Sequence, residues 1–173
     1  MNEVENAGVR THVIEVAKKN IMPCMEYSVC EKKGTCPIND DMNEIYSLFR
    51  EADIIVLATP IFFYNAPAQT KALIDRSQTL WARKYRLKLT DPGYKTRKGF
   101  LLALGATKGN NLFEGIKLTT KYFFDATSAS FEGSLTYRKM ENRDDMEKHP
   151  SVAGDVKEAA ENILRPYLTR KKI

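Results

Sequence analysis

The chain has 173 residues, 43% of them hydrophobic and 28% charged, with a net charge of +5. That length supports one full core and is short for two, and the composition is that of an ordinary globular chain rather than a disordered or fibrous one. No apolar run approaches the roughly 18 residues of a membrane span, and the amino terminus lacks the basic start and apolar centre of a signal peptide, so a cytoplasmic location is expected.

Residues 1 to 10 are polar, and Asn2 to Asn6 fits the last turns of a helix ending at Gly8. Thr11 to Val16 is a β-branched run of strand length. His12, without a paired nucleophile in the sequence pattern, reads as structural. From Ala17 to Asp41 there is no long period, only Cys, Pro, Gly and charges, which suits a loop of constrained geometry. Met42, Ile45, Tyr46, Phe49 and Ala52 recur at helical spacing, with Asp40 or Asp41 as the cap.

Ile54 to Ala58 is an unbroken apolar run, as expected of a parallel strand buried on both faces. Thr59-Pro60 stops it, because proline has no N–H for a ladder. A loop with two Phe, one Tyr and one Asn follows, and Pro67 then opens a helix expected to reach Arg83. In an open α/β sheet, the loop leaving the carboxyl end of a strand is where ligands bind. Three aromatic rings and an amide there suit a flat, amphipathic ligand; the alternative is an aromatic turn packed on a neighbouring helix.

The basic excess gathers at Lys84 to Lys98 and in the Arg170-Lys171-Lys172 tail. Such runs are read as solvated, and neither a nucleic-acid nor a membrane partner is expected. The connection from Tyr85 to Arg97 is long, and with Trp81 and Tyr85 beside it suits a contact between subunits in a homodimer that buries Trp81. Gly99 to Leu104 is a third strand, followed by a second strand-end loop, Gly105 to Asn111. Leu112 to Phe124 reads as a helix with Ile116, Tyr122 and Phe123 in the core. Ala129 to Tyr137 is a fourth strand, interrupted at Gly133, and residues 138–149 are charged and exposed. Val152, Val156, Ala159, Ala160, Ile163, Leu164 and Tyr167 form a clean helical stripe. Alternating strands and helices make this an α/β chain with a doubly wound parallel sheet, in one domain over residues 1–173.

Pro23-Cys24, Gly34-x-Cys36 and Asp40-Asp41-Met42 form one group of matching residues. Thr59-Pro60-Ile61-Phe62-Phe63 and Gln69-x-Lys71-Ala72-Leu73-Ile74-Asp75-Arg76 form another. Together they resemble the flavodoxin-fold NADPH-dependent FMN reductases, in particular the iron–sulfur flavoproteins, from about Thr11 onward. The resemblance implies an FMN-dependent NAD(P)H oxidoreductase that reduces a flavin, a quinone or another small electron acceptor, usually as a homo-oligomer. It places Pro60, Ile61, Phe62, Phe63, Tyr64 and Asn65 around the flavin ring, with Gly105, Ala106 and Thr107 at its other edge. No catalytic side chain is expected, since the cofactor carries the hydride. Asp75 and Arg76 read as a helix-surface or interface pair.

Two departures stand out. The family's first strand and its Gly-Ser-Pro-Arg phosphate loop have no counterpart in the ten residues before Thr11. The expectation is therefore a domain incomplete at its amino terminus, which alone folds poorly and holds FMN weakly, and which a strand–loop–helix extension upstream restores. The alternative is a shortened domain that has lost flavin and serves as an interaction or assembly protein. The second departure concerns Cys24, Cys30 and Cys36, spaced with five residues between each. An odd count argues against a disulfide framework. The thiols are weak metal candidates, and no iron–sulfur cluster is expected, because four thiolates are the rule and Tyr27 stands at the place of the family's further cysteine.

Overall fold

The computed structural model describes residues 9–168; the Asn2–Asn6 helix and the Arg170-Lys171-Lys172 tail lie outside them. The first surprise is Thr11 to Val16, which is no strand: residues 9–15 belong to neither helix nor sheet, and Val16–Lys18 makes a single 3-10 turn. Val13 is 66% exposed. A β-branched run has strand propensity, but it becomes a strand only where a ladder partner and a packed face exist.

Residues 15–139 gather into one compact unit. A short helix α1 (Val29–Lys33) interrupts the cysteine loop and ends at left-handed Gly34. Helix α2 (Met42–Glu51) buries Met42, Ile45, Tyr46 and Phe49, the stripe its spacing calls for. Asp40 caps it: the Met42 N–H donates to Asp40 Oδ1 at 3.0 Å. Strand β1 (Ile54–Pro60) alternates, with Ile55, Leu57 and Thr59 buried while Val56 is 51% exposed. The expectation of burial on both faces therefore fails; one face of β1 is open.

The Pro67–Arg83 helix is two helices, α3 (Ala68–Arg76) and α4 (Gln78–Tyr85). They break at buried Ser77, whose hydroxyl donates back to the Leu73 carbonyl at 3.1 Å, a bond that competes with the helical ladder. Strand β2 (Lys98–Gly105), helix α5 (Glu114–Ala126) and strand β3 (Ser130–Arg138) complete the unit. The sheet is parallel in the order β1-β2-β3, with a bulge where Gly133 rather than Glu132 pairs with Phe100. Among the described residues β1 is an edge strand.

Helix α5 covers the sheet with Ile116, Thr120, Phe123 and Phe124. The Phe123 ring meets Phe49 edge-on at 5.5 Å, and Phe124 meets Phe131 at 5.6 Å. Tyr122, expected in the core, is 63% exposed, one position off the buried stripe. The basic connection is also less solvated than its composition suggests. Arg97 is 3% exposed and donates to the carbonyls of Ala52 (2.7 Å), Thr127 (2.6 Å) and Pro92 (2.8 Å), pinning the start of β2. Lys84 and Tyr85 both bond the Asp125 carboxylate, and half-buried Trp81 lies against Tyr85 and Arg86.

The second unit has its described residues at 9–14 and 140–168. It holds the short α6 (Asp145–Lys148) and the long α7 (Val152–Leu168). All seven positions of the α7 stripe are buried or half-buried, with Ile163 and Leu164 deepest.

Candidate functional site

β1 ends at Pro60, and the Ile61 N–H then donates to the Leu104 carbonyl at 2.8 Å, so the loop leaving β1 stays tied to the end of β2. The next four residues close a hairpin. The Phe62 N–H donates to the Asn65 carbonyl at 2.8 Å, and the Asn65 N–H to that of Phe62 at 3.0 Å. Its two central residues, Phe63 and Tyr64, have φ of +49° and +64°. Left-handed backbone at both centres is the requirement of a type I′ turn, whose usual occupants are Asn-Gly. Bulky residues cost about 1–2 kcal/mol each in that region.

The surroundings hold the strained turn in place. Asn65 Oδ1 accepts from the Ala66 N–H (2.8 Å), while its amide donates to Thr119 Oγ1 on α5 (3.1 Å). Gly115, in the first turn of α5, lies so close beneath the Tyr64 carbonyl that a Cβ there would be 2.5 Å from the oxygen. Gly109 similarly receives the Tyr64 hydroxyl end. The result is three outward rings: Phe62 is 59%, Phe63 101% and Tyr64 52% exposed. The strain thus leaves apolar rings facing solvent at the carboxyl end of a parallel sheet, the edge where open α/β sheets bind ligands.

The structure thus brings the two strand-end loops together. Gly105 abuts Ile61, an added Cβ lying 3.7 Å from the Ile61 Cβ, and Ala106 and Thr107 are exposed beside them. Pro60 is exposed and Ile61 half-buried at the same edge. Asn65 differs from the rest: both ends of its amide are engaged within the protein, so it shapes the loop rather than offering a free group. Chemically, these exposed rings are apolar surface of the kind that a flat aromatic ligand such as a flavin ring takes. For its phosphate, the described residues contain no strand before β1 and hence no strand–loop–helix cradle of the kind that binds phosphates.

A second constellation was missed entirely in the sequence. Arg76 is no surface residue. Its side chain and that of Asp40 are each 1% exposed, joined through Nη1 at 2.6 Å and Nη2 at 3.1 Å. Arg76 Nη1 also donates to the Met22 carbonyl at 2.9 Å, while Asp40 accepts the Met22 N–H at 2.9 Å. Asp41 accepts the Asn20 N–H at 2.7 Å. Burial opposes the charge on Asp40, but the Arg76 hydrogen bond and the N–H groups of Met22 and Met42 outweigh it and hold the carboxyl below its usual range. Asp75 pairs instead with Lys71, one turn away. A charge pair 36 residues apart leaves no periodic trace.

This pair underlies a cavity of about 440 Å³ that Cys24, Cys30, Cys36 and Tyr27 all line. Burial pushes the Cys30 thiol above its ordinary value, and the neighbouring Cys36 and Cys24 add to it. Among the described residues no three His, Cys, Asp or Glu side chains converge on a single-ion centre. Three thiols do not fit a four-thiolate cluster.

Comparison with known proteins bears on both constellations. The family model of the NADPH-dependent FMN reductases matches residues 1–100. An iron–sulfur flavoprotein of Methanocaldococcus jannaschii is 40% identical over 80 residues, covering 46% of this chain and 42% of that protein. Another, from Methanosarcina thermophila, is 40% identical over 101 residues, covering 58% and 49%. The chain thus spans about half the length of the curated relatives it matches. In fold, an FMN-dependent NADH-azoreductase from Bacillus anthracis superposes with a TM-score of 0.63 at 12% identity, over 94% of this chain and 88% of that one. No helix among the described residues is long and apolar enough to cross a membrane. The parallel sheet, the match over more than half of the sequence and the flavodoxin-like neighbours agree, and the chain belongs to the NADPH-dependent FMN reductase family.

Proposed function

We propose that this chain is the flavin-ring-binding part of an FMN-dependent oxidoreductase that takes electrons from NAD(P)H and passes them to a small acceptor, as a cytoplasmic homo-oligomer. The observation that carries the reading is the strained Phe62–Asn65 hairpin with its outward rings. When bound, FMN supplies the hydride chemistry. The protein's part is placement: Phe62, Phe63 and Tyr64 offer apolar surface to the ring, and the Gly105–Thr107 loop borders its other edge. Rings that cover one face of a flavin also exclude water from it and leave the other face for donor and acceptor. The relatives' name, iron–sulfur flavoprotein, supports flavin use, as does the FMN-dependent neighbour.

The test is titration of FMN with the purified protein, followed by anaerobic NADPH. Saturable quenching of flavin fluorescence, then bleaching of the visible flavin band by NADPH, is the expected result. Absence of quenching at tens of micromolar protein refutes the reading. It would favour a flavin-free interaction protein, for which β1, an edge strand among the described residues, offers a docking edge.

A further inference from the structure

The relatives are named for an iron–sulfur group, and three free thiols of this chain's cysteine loop line a single cavity. Positions 24, 27, 30 and 36 border one cavity of about 440 Å³, three with thiols and one with Tyr27. The backbone around position 27 is unusual: Glu26 and Ser28 both lie in the left-handed region, with φ of +54° and +55°. These two reversals bring side chain 27 to the same cavity as its neighbours three residues away on either side. We infer that Tyr27 alone keeps this loop from assembling a four-thiolate iron–sulfide cluster, and that protein contacts hold the backbone of the loop without metal.

Both halves follow from the geometry. A cluster of this kind is held by four thiolates, one for each corner iron, and a phenol is a poor match for iron that prefers soft sulfur donors. Among the described residues no three His, Cys, Asp or Glu side chains gather tightly enough to hold an ion, so no other ligand stands ready to replace a fourth thiolate. The shape has its own supports. Arg76 and Asp40 tie Met22 through its carbonyl and N–H, Asp41 ties Asn20, and Gly34 closes α1 on the Cys30 carbonyl at 2.9 Å. None of these contacts needs an ion. Tyr27 is itself 60% exposed, so its ring is not what fills the core there.

The test is a gain of function that does not depend on flavin. Wild type, Tyr27→Cys and Tyr27→Ser are reconstituted anaerobically with iron, sulfide and a thiol reductant, desalted, and assayed for bound iron and for the visible band of a cluster. The expected result is a broad visible band and about four irons per chain in Tyr27→Cys only. Thermal unfolding of the unreconstituted proteins confirms that all three are folded, and a chelator leaves the wild-type midpoint where it was. Stable cluster in the wild type overturns the inference. So does failure of a folded Tyr27→Cys to load, because position 27 is then not the missing part. A wild-type midpoint that drops with chelator removes the claim that the loop stands without metal.

Discussion

Replacing Phe63 by Asn separates what the hairpin does for the fold from what it does for a ligand. The Phe63 ring is fully exposed, so its loss removes no buried surface from the folded protein. Its backbone is left-handed at φ +49°, a region Asn enters far more readily than an aromatic residue. Relief of that strain is worth about 1 kcal/mol of added stability, or ~2–4 °C in midpoint for a chain of this size. A flavin would lose the cover of one ring. A fully buried Phe side chain contributes about 1.5–3 kcal/mol, and half that cover amounts to about 0.8–1.5 kcal/mol, roughly a four- to thirteenfold weaker Kd. Urea unfolding and flavin fluorescence titration read the two effects on the same preparations. A variant that is less stable yet binds flavin as wild type would refute the argument, since the ring would then be packing and not a contact.

The Asp40–Arg76 pair predicts a large loss: Asp40→Asn leaves a buried guanidinium without its counter-charge, at about 3–5 kcal/mol by urea unfolding. Because the folded Asp40 carboxyl lies below its ordinary value of 3.8, its contribution is complete above that pH. It fades as pH falls through the folded value, so the wild type should lose more stability than Asp40→Asn on acidification. Asn65→Ala removes two internal hydrogen bonds, about 0.5–1.5 kcal/mol each, and should weaken flavin binding through the loop's shape; unchanged stability would show the amide is not its brace. Gly115→Ala should displace the hairpin at a cost of about 1–3 kcal/mol, seen as lower stability and weaker flavin binding together. A homodimer at micromolar concentration is expected from sedimentation, with half-buried Trp81 further shielded from iodide, and a monomer would defeat that expectation.

Much of the sheet was legible because β1 and β2 are apolar runs bounded by turn residues, while β3 sets Phe131, Leu135 and Tyr137 among polar positions. Helix α2 and the α7 stripe were equally plain from their period. Thr11–Val16 shows the limit of that reading, since propensity does not supply a ladder partner. Ser77 broke a helix by a hydroxyl bond that no periodicity records. At the site, the aromatic loop was visible by composition and position, but its hairpin was not. Phe63-Tyr64 is the opposite of the Asn-Gly signal that marks such a turn, and it was that violation, once seen, that pointed to function. Arg76 was misplaced for a different reason: its partner lies far along the chain, and a buried guanidinium looks in sequence like any exposed one.

A ring site built on the Phe62–Asn65 hairpin has its most direct test in riboflavin, which carries the flavin ring without the phosphate. The wild-type protein should quench riboflavin fluorescence saturably, and Phe63→Asn should weaken that binding roughly four- to thirteenfold. No riboflavin binding, or binding that Phe63→Asn leaves untouched, would contradict the ring site.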